Sequence, residues 1–167
     1  MKLRKLELKD AGGMLSWMKD PSVNRFFRFT EDSVSLEKAE SFILSAQDTS
    51  KDMHLAIVDE DDTYLGTVSL KNIDPTARNA EYAISTCARV HGTGAAFDAT
   101  HEILRIAFKE LNLHRVYLNV LEENERANRF YIKCGFVYEG QFREHLDIRG
   151  EFKNLNWYSI LDHEFKR

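Results

Sequence analysis

Residues 91–96, His91-Gly92-Thr93-Gly94-Ala95-Ala96, have the make-up of an anion-binding turn. They follow a strand-like run at 80–86 and open a helix-like run at 95–111. Glycine has no side chain, so a ligand can come close to its backbone. The first amides of a helix lack intrahelical partners, and the helix dipole adds partial positive charge at the same place. Phosphate or pyrophosphate is the group such a turn suits. These six residues do not decide the matter alone, because many strand-to-helix turns hold glycine for geometry only.

A second constellation lies at 124–136. Asn124 is a cap for a helix running to Cys134, and Gly135 fits the left-handed residue that ends it. Tyr131 lies two helical turns after Asn124, so the two face the same side. On its own Tyr131 reads as a core aromatic, like Phe130 beside it. Glu81 offers a carboxylate within the strand at 80–86, with Tyr82 on the opposite face. Cys134 reads as packing rather than as a nucleophile, and Cys87 as structural.

Asn124, Ala127, Tyr131, Gly135 and Phe136 match the pattern N-x-x-A-x-x-x-Y-x-x-x-G-F, and 91–96 stands where Q/R-x-x-G-x-G/A opens a main helix. With the order of elements, this resembles the GNAT superfamily of acetyl-CoA-dependent N-acetyltransferases over nearly the whole chain. The resemblance implies direct attack of an amine on the thioester of acetyl-CoA. It implies that Ile84, Ser85 and Thr86 offer backbone groups to the pantetheine arm. His91, Gly92, Thr93, Gly94, Ala95 and Ala96 would hold the pyrophosphate. Asn119, Asn124 and Ala127 join the coenzyme group, and Tyr131 would protonate the departing thiolate. One departure stands out: His91 and Thr93 occupy positions where the family supplies Arg or Gln and a further basic residue. A register starting at Arg89 would restore the cation; the register starting at His91 keeps the family's usual gap from strand to helix. The turn then reads as an anion site made mainly of amides.

The attacking amine must first lose a proton, which for a lysine-like amine at pH 7 costs about 4–5 kcal/mol. Glu81 is the candidate base; its plainer reading is a surface or pairing carboxylate. The acceptor is expected to be a small-molecule amine such as an amino-sugar nucleotide, because residues 136–144 and 150–153 look most like that group. A polyamine or a protein N-terminus is the alternative. Arg25, Phe26, Phe27 and Arg28 could bind such a substrate by stacking and by holding a diphosphate, or Phe26, Phe27 and Phe29 could pack under the sheet edge. Glu31 and Asp32 are the acids nearby. A non-catalytic acetyl-CoA sensor is the alternative of another class. A P-loop hydrolase is excluded, since no G-x-x-x-x-G-K-[ST] occurs.

Composition agrees with a folded enzyme. The 167 residues suit one domain, 1–167, and 43% hydrophobic with 30% charged residues argues against disorder. A net charge of -4 argues against a dedicated nucleic-acid binder. No run is long enough to span a bilayer, the basic start is not a signal peptide, and two distant cysteines suit the cytoplasm. Histidine spacing predicts no metal site. A homodimer is common among similar enzymes.

The elements that must position these groups follow from periodicity. Strands are expected at 3–8, 54–58, 64–73, 80–86, 115–121, 136–142 and 152–161. Helices are expected at 11–19 behind Asp10, after Ser35, at 95–111 and at 124–134. The order βααβββαβαββ gives a mixed α/β sandwich built on one central sheet; the resemblance implies an α/β (α+β) fold of GNAT type, with about seven mostly antiparallel strands and about four helices.

Overall fold

The computed structural model describes Met1 to Lys166, apart from the side chain of Glu31. Seven strands form one sheet in the order β1-β2-β3-β4-β5-β7-β6. They are β1 (Lys2–Lys5), β2 (Met53–Val58), β3 (Tyr64–Asp74), β4 (Asn79–Thr86), β5 (Arg115–Leu121), β6 (Val137–Ile148) and β7 (Glu151–Leu161). Five α-helices accompany them among the described residues: α1 (Ala11–Lys19), α2 (Pro21–Asn24), α3 (Leu36–Ser45), α4 (Ala95–Arg105) and α5 (Glu125–Lys133). The expected architecture is therefore present, with one short helix more.

Alternation along the strands assigns the faces. Val68 and Leu70 of β3, Ala80 and Tyr82 of β4, and Val116, Leu118 and Val120 of β5 meet Ala99, Ile103 and Leu104 of α4 and Tyr131 of α5 in one apolar cluster. The opposite face is covered only in part. There Met14 and Trp17 of α1 and Ala39 and Ile43 of α3 pack on Ala56, Val58 and Tyr64. Glu81, Tyr117 and Asn119 belong to this second face by alternation.

One pairing shapes the sheet. β4 and β5 run parallel and pair only at Asn79↔Arg115, Ala80↔Val116 and Glu81↔Tyr117. Beyond that point β4 stays on β3, through Tyr82↔Leu70 to Thr86↔Gly66. β5 stays on β7, through Leu118↔Tyr158 to Leu121↔Leu155. A wedge opens between them, and the chain leaves both strands at its wide end to begin α4 and α5.

Several boundaries differ from the sequence expectation. β1 stops at Lys5 because the Asp10 carboxylate, 2% exposed, accepts from the Glu7 amide at 2.8 Å and turns the chain into a 3-10 turn at Leu8–Asp10. Asp10 therefore does not cap α1; Arg4 holds it through bonds of 2.8 and 3.0 Å. Ser35 does cap α3, accepting from the Lys38 amide at 3.2 Å. The main helix changes to a π-turn at Ile106–Glu110. β6 runs on to Ile148 across a charged stretch without clean alternation, with irregular register between Phe142 and Leu146.

Gly66 shows how tightly β3 and β4 approach beside the wedge. A Cβ there would lie 2.4 Å from the Ser85 carbonyl oxygen and 2.9 Å from the Thr86 Cα, both backbone. Gly66→Ala is expected to destabilise the fold by about 2–3 kcal/mol, the cost of overpacking against unyielding atoms, read as a lower midpoint in urea denaturation.

Candidate active site

The wide end of the wedge gathers the predicted coenzyme residues. Residues 82–86 of β4 have no strand partner on the β5 side, so alternate amides and carbonyls among them, including those of Ile84, Ser85 and Thr86, face the gap or β3 in turn. The glycine turn follows directly. Gly92 and Gly94 sit at φ +81° and +86°, the left-handed region that glycine tolerates. Nothing lies within 4 Å of a Cβ built at either position; the backbone is open to an incoming group. The amides of His91, Thr93 and Ala95 have partners inside the turn, Ala88 O, Val90 O and Thr93 Oγ1. Those of Gly92, Gly94, Ala96 and Phe97 have none among the described residues. Four free amides at a helix start form an anion cradle.

The cation missing from the turn comes from the neighbouring helix. Arg126, in the first turn of α5, brings Nη1 to 2.8 Å from His91 Nδ1. Burial and then the Arg126 charge hold the His91 imidazole below its ordinary range, with Asp20 opposing, so at neutral pH it can accept from the guanidinium. Arg89 is committed elsewhere: it donates to the Tyr64 carbonyl at 3.0 Å. The register starting at His91 is thus the one whose residues stand at the turn. Arg126 escaped sequence reading because its signal is spatial, a first-turn residue of one helix meeting the first turn of another.

Asn124 caps α5 through its side-chain oxygen, which accepts from the Ala127 amide at 3.2 Å. Tyr131 stands beneath the wedge, its ring edge-on to Tyr82 at 5.9 Å and 86°. Burial, and secondarily Cys134, pushes its hydroxyl far above the usual phenol range, which keeps it protonated at neutral pH. The hydroxyl has no partner among the described residues and is not sealed from solvent. Burial also pushes the Cys134 thiol up to about 11, so it stays a thiol and belongs to packing.

On the second face, Glu81 is held by three donors. Asn119 Nδ2 lies 3.0 Å and Lys71 Nζ 3.3 Å from Oε1, and Asn72 Nδ2 lies 3.3 Å from Oε2. Asn119, expected with the coenzyme group, therefore directs its side chain to Glu81 on the acceptor side. Lys71 stands opposite Glu81 only because the β3–β4 register shifts between Lys71 and Asp74, so plain counting back from the turn at 74–79 would not have placed it there.

The aromatic loop divides. Phe27 stacks on Phe29 at 5.2 Å and packs on Trp17 at 5.5 Å, within the cluster under α1 and α3. Phe27 is thus half-buried against that cluster, the packing role that the sequence also allowed for it. Phe26 packs instead against the cluster of Leu121 at the end of β5 with Ile148 and Leu155 of the closing hairpin, and the Arg25 guanidinium lies 4.6 Å over its ring. Arg28 is exposed. Arg149, in the β6–β7 turn, donates to the Arg25 and Phe29 carbonyls at 3.5 and 3.4 Å. The Glu31 side chain lies outside the described residues. Among the described residues no group of three or more His, Cys, Asp or Glu could hold a metal ion, and no helix is long and apolar enough to cross a membrane.

An open β4 edge, a cradle of free amides and a cation fit the thioester arm and pyrophosphate of acetyl-CoA. A profile of the acetyltransferase (GNAT) domain family matches residues 1–137. The chain belongs to the GNAT acetyltransferases. A spermidine N(1)-acetyltransferase of Escherichia coli is 29% identical over 165 residues, 99% of this chain and 88% of that protein. The crystal structure of spermidine N-acetyltransferase from Vibrio cholerae in complex with CoA and spermine is 26% identical, covers 98% of this chain and 96% of that one, and superposes with a TM-score of 0.88. A dodecameric structure of the Vibrio cholerae enzyme is 27% identical with a TM-score of 0.81. This GNAT chain is an acetyl-CoA-dependent N-acetyltransferase that acts on an amine, and acetyl-CoA supplies the acyl thioester.

If Arg126 supplies the turn's cation, its loss removes a charge-assisted contact to phosphate. Arg126→Ala is expected to weaken acetyl-CoA binding about tenfold, a typical value for one such contact, with Arg126→Lys intermediate. Calorimetric titration at two salt concentrations checks this, the wild type showing the steeper salt dependence.

Proposed function

We propose that this enzyme acetylates the primary amine of a small molecule rather than a protein N-terminus. The observation that carries this reading is the contact between the closing hairpin and the aromatic loop. Phe26 packs on Ile148 and Leu155, and Arg149 reaches the carbonyls of Arg25 and Phe29. That contact bars one end of the acceptor side, where a polypeptide would need an open groove.

Among small amines, a polyamine of the spermidine class is the first candidate, on the strength of relatives alike over nearly the whole chain. An amino-sugar nucleotide is the second, and a specific observation favours it. Two acids of that side among the described residues are already paired, Glu81 with Lys71 and Glu139 with Arg115. Arg25 and Arg28 add positive charge. A polycation finds few free carboxylates there, whereas a diphosphate finds cations.

In the transfer, residues 91–96 with Arg126 hold the pyrophosphate, the free edge at 84–86 aligns the pantetheine arm, and Asn124 and Ala127 bound it on the α5 side. Tyr131 is the general acid for the thiolate: the proton moves as charge builds on sulfur in the same enclosed space. Two unpaired cysteines fit a reducing cytoplasm. Exposed Val137, Tyr138 and Phe142 on the edge strand β6 suit self-association.

A thiol-release assay with spermidine, an amino-sugar nucleotide and a ribosomal N-terminal peptide tests the acceptor class. Turnover confined to the peptide overturns the small-molecule reading, and binding of acetyl-CoA with no turnover on any amine favours the sensor alternative. Tyr131→Phe is expected to lower kcat by about 100-fold, a common value for general acid loss, with acetyl-CoA affinity changed less than about twofold. Unchanged kcat removes Tyr131 from that role.

A further inference from the structure

We propose that the proton of the attacking ammonium leaves through Ser69 to His54, and that Glu81 is a positioning residue for that reaction rather than its base. The proposal rests on the chain being an N-acetyltransferase and not on which amine it accepts. Its starting point is the state of Glu81. Three donors already occupy its two oxygens, and a carboxylate has about four lone-pair sites. Glu81 is arranged to anchor Lys71, Asn72 and Asn119.

A second proton acceptor lies on the same face of the sheet, one strand pair further from the wedge. His54 of β2 pairs with Ser69 of β3, and Ser69 pairs with Ala83 of β4. The row His54–Ser69–Ala83 thus runs across the sheet to the strand whose free edge borders the wedge. His54 Nδ1 and Ser69 Oγ are 2.7 Å apart. Ser69 is only 6% exposed, and the ring of Phe42 on α3 lies edge-on to His54 at 4.8 Å. Ala83 has the smallest side chain that a non-glycine residue can place in this row. In the relay, one water over this short side chain would bridge Ser69 to an amine above β4.

The electrostatics suit the task. Burial holds the His54 imidazole below its ordinary value of 6.5; Asp52 opposes this and Lys71 adds to it. Asp52 and Lys71 are the charged groups that bear on it, while α3 presents the uncharged Phe42. The ring is therefore neutral and able to accept a proton at pH 7. An imidazole also matches neutral pH better as a base than an ordinary carboxylate does.

The relay uses the tautomer with hydrogen on Nε2, in which Ser69 donates to Nδ1. The ammonium gives one proton through water to Ser69 Oγ as Ser69 passes its own to His54, and the imidazolium releases a proton to solvent from Nε2; once product has left, Nε2 takes a proton from solvent and Nδ1 returns one through Ser69 to water in the opened site, which restores the starting tautomer. The amine nitrogen then bonds to the thioester carbon, the carbon–sulfur bond breaks, and the thiolate takes the Tyr131 proton. The second proton shed by the nitrogen as it becomes an amide returns through water to Tyr131. One proton is released per turnover.

The pH dependence of kcat/KM separates this role from a structural one. With the relay, kcat/KM is level from the His54 pKa up towards that of the amine and falls tenfold per pH unit below the His54 pKa. Without it, only free neutral amine reacts, so log kcat/KM climbs with unit slope up to an amine pKa of about 10.4. His54→Gln and Ser69→Ala are each expected to lose the level region and to fall about 1,000-fold below wild type at pH 7. They should converge on it near pH 10, while Glu81→Gln keeps the level region. A level region retained in both His54→Gln and Ser69→Ala, or lost only in Glu81→Gln, overturns the proposal. NMR titration of His54 tests the pair without turnover: an imidazole whose pKa is identical in wild type and Ser69→Ala also overturns it. Absence of turnover on any amine would instead count against the acceptor reading given above.

Discussion

The whole site depends on where β4 and β5 stop pairing. Three residues of ladder hold the strands together, ending at Glu81↔Tyr117, and each strand then follows its other neighbour. Gly66 lets β4 sit so close to β3 that a methyl group would strike the Ser85 carbonyl. On the far side β5 stays registered with β7 to Leu155. The apolar face beneath the gap is filled by Tyr82, Tyr131, Phe136 and Tyr158, so the opening is a shaped surface and not a void in the core. Because the two strands are parallel, α4 and α5 both begin at the wide end. Two sets of orphan amides, with the positive ends of two helix dipoles, meet there.

That arrangement explains how a turn with His91 and Thr93 in place of stronger side chains can still serve as an anion site. The free amides of Gly92, Gly94, Ala96 and Phe97 belong to α4 and its approach, while the guanidinium beside them belongs to α5. His91 is a neutral acceptor that fixes the direction of Arg126. The two sequence motifs thus stand side by side, and a guanidinium from the second lies at the turn of the first.

The fold was legible where periodicity and punctuation agree. The alternation at 115–121 and the cap–helix–glycine run from Asn124 to Gly135 match β5 and α5 because burial and local hydrogen bonding ask for the same residues. Legibility failed where a side chain had two possible partners. Asp10 looks like a cap until Arg4 claims it, and Phe27, readable from sequence as either stacking platform or packing residue, lies half-buried against Trp17 and Phe29. The continuation of β6 to Ile148 was hidden because its long hairpin faces solvent on much of both sides, so hydrophobic alternation is absent. Within the site, backbone-built parts could be read from glycine and strand position. Arg126, Lys71 and the His54–Ser69 pair depend on contacts across the sheet or between helices, which spacing along one chain does not encode.

The same division explains why family membership settles the donor but leaves the acceptor to be argued. The donor side consists of strand edge, turn amides and helix starts, which any sequence with this fold and these glycines will reproduce. The acceptor side proposed above draws on side chains from β2, β3, β4 and β5 and from the loop at 25–29, and on the β6–β7 hairpin, which lies beyond the matched residues 1–137 almost entirely. Each of those positions can change without disturbing the wedge. In this chain they place Lys71 on Glu81 and Arg115 on Glu139, so two carboxylates among the described residues are already paired from within. An acceptor with several ammonium groups would have to displace those cations, at a cost that an acceptor with one amine and anionic groups elsewhere does not meet.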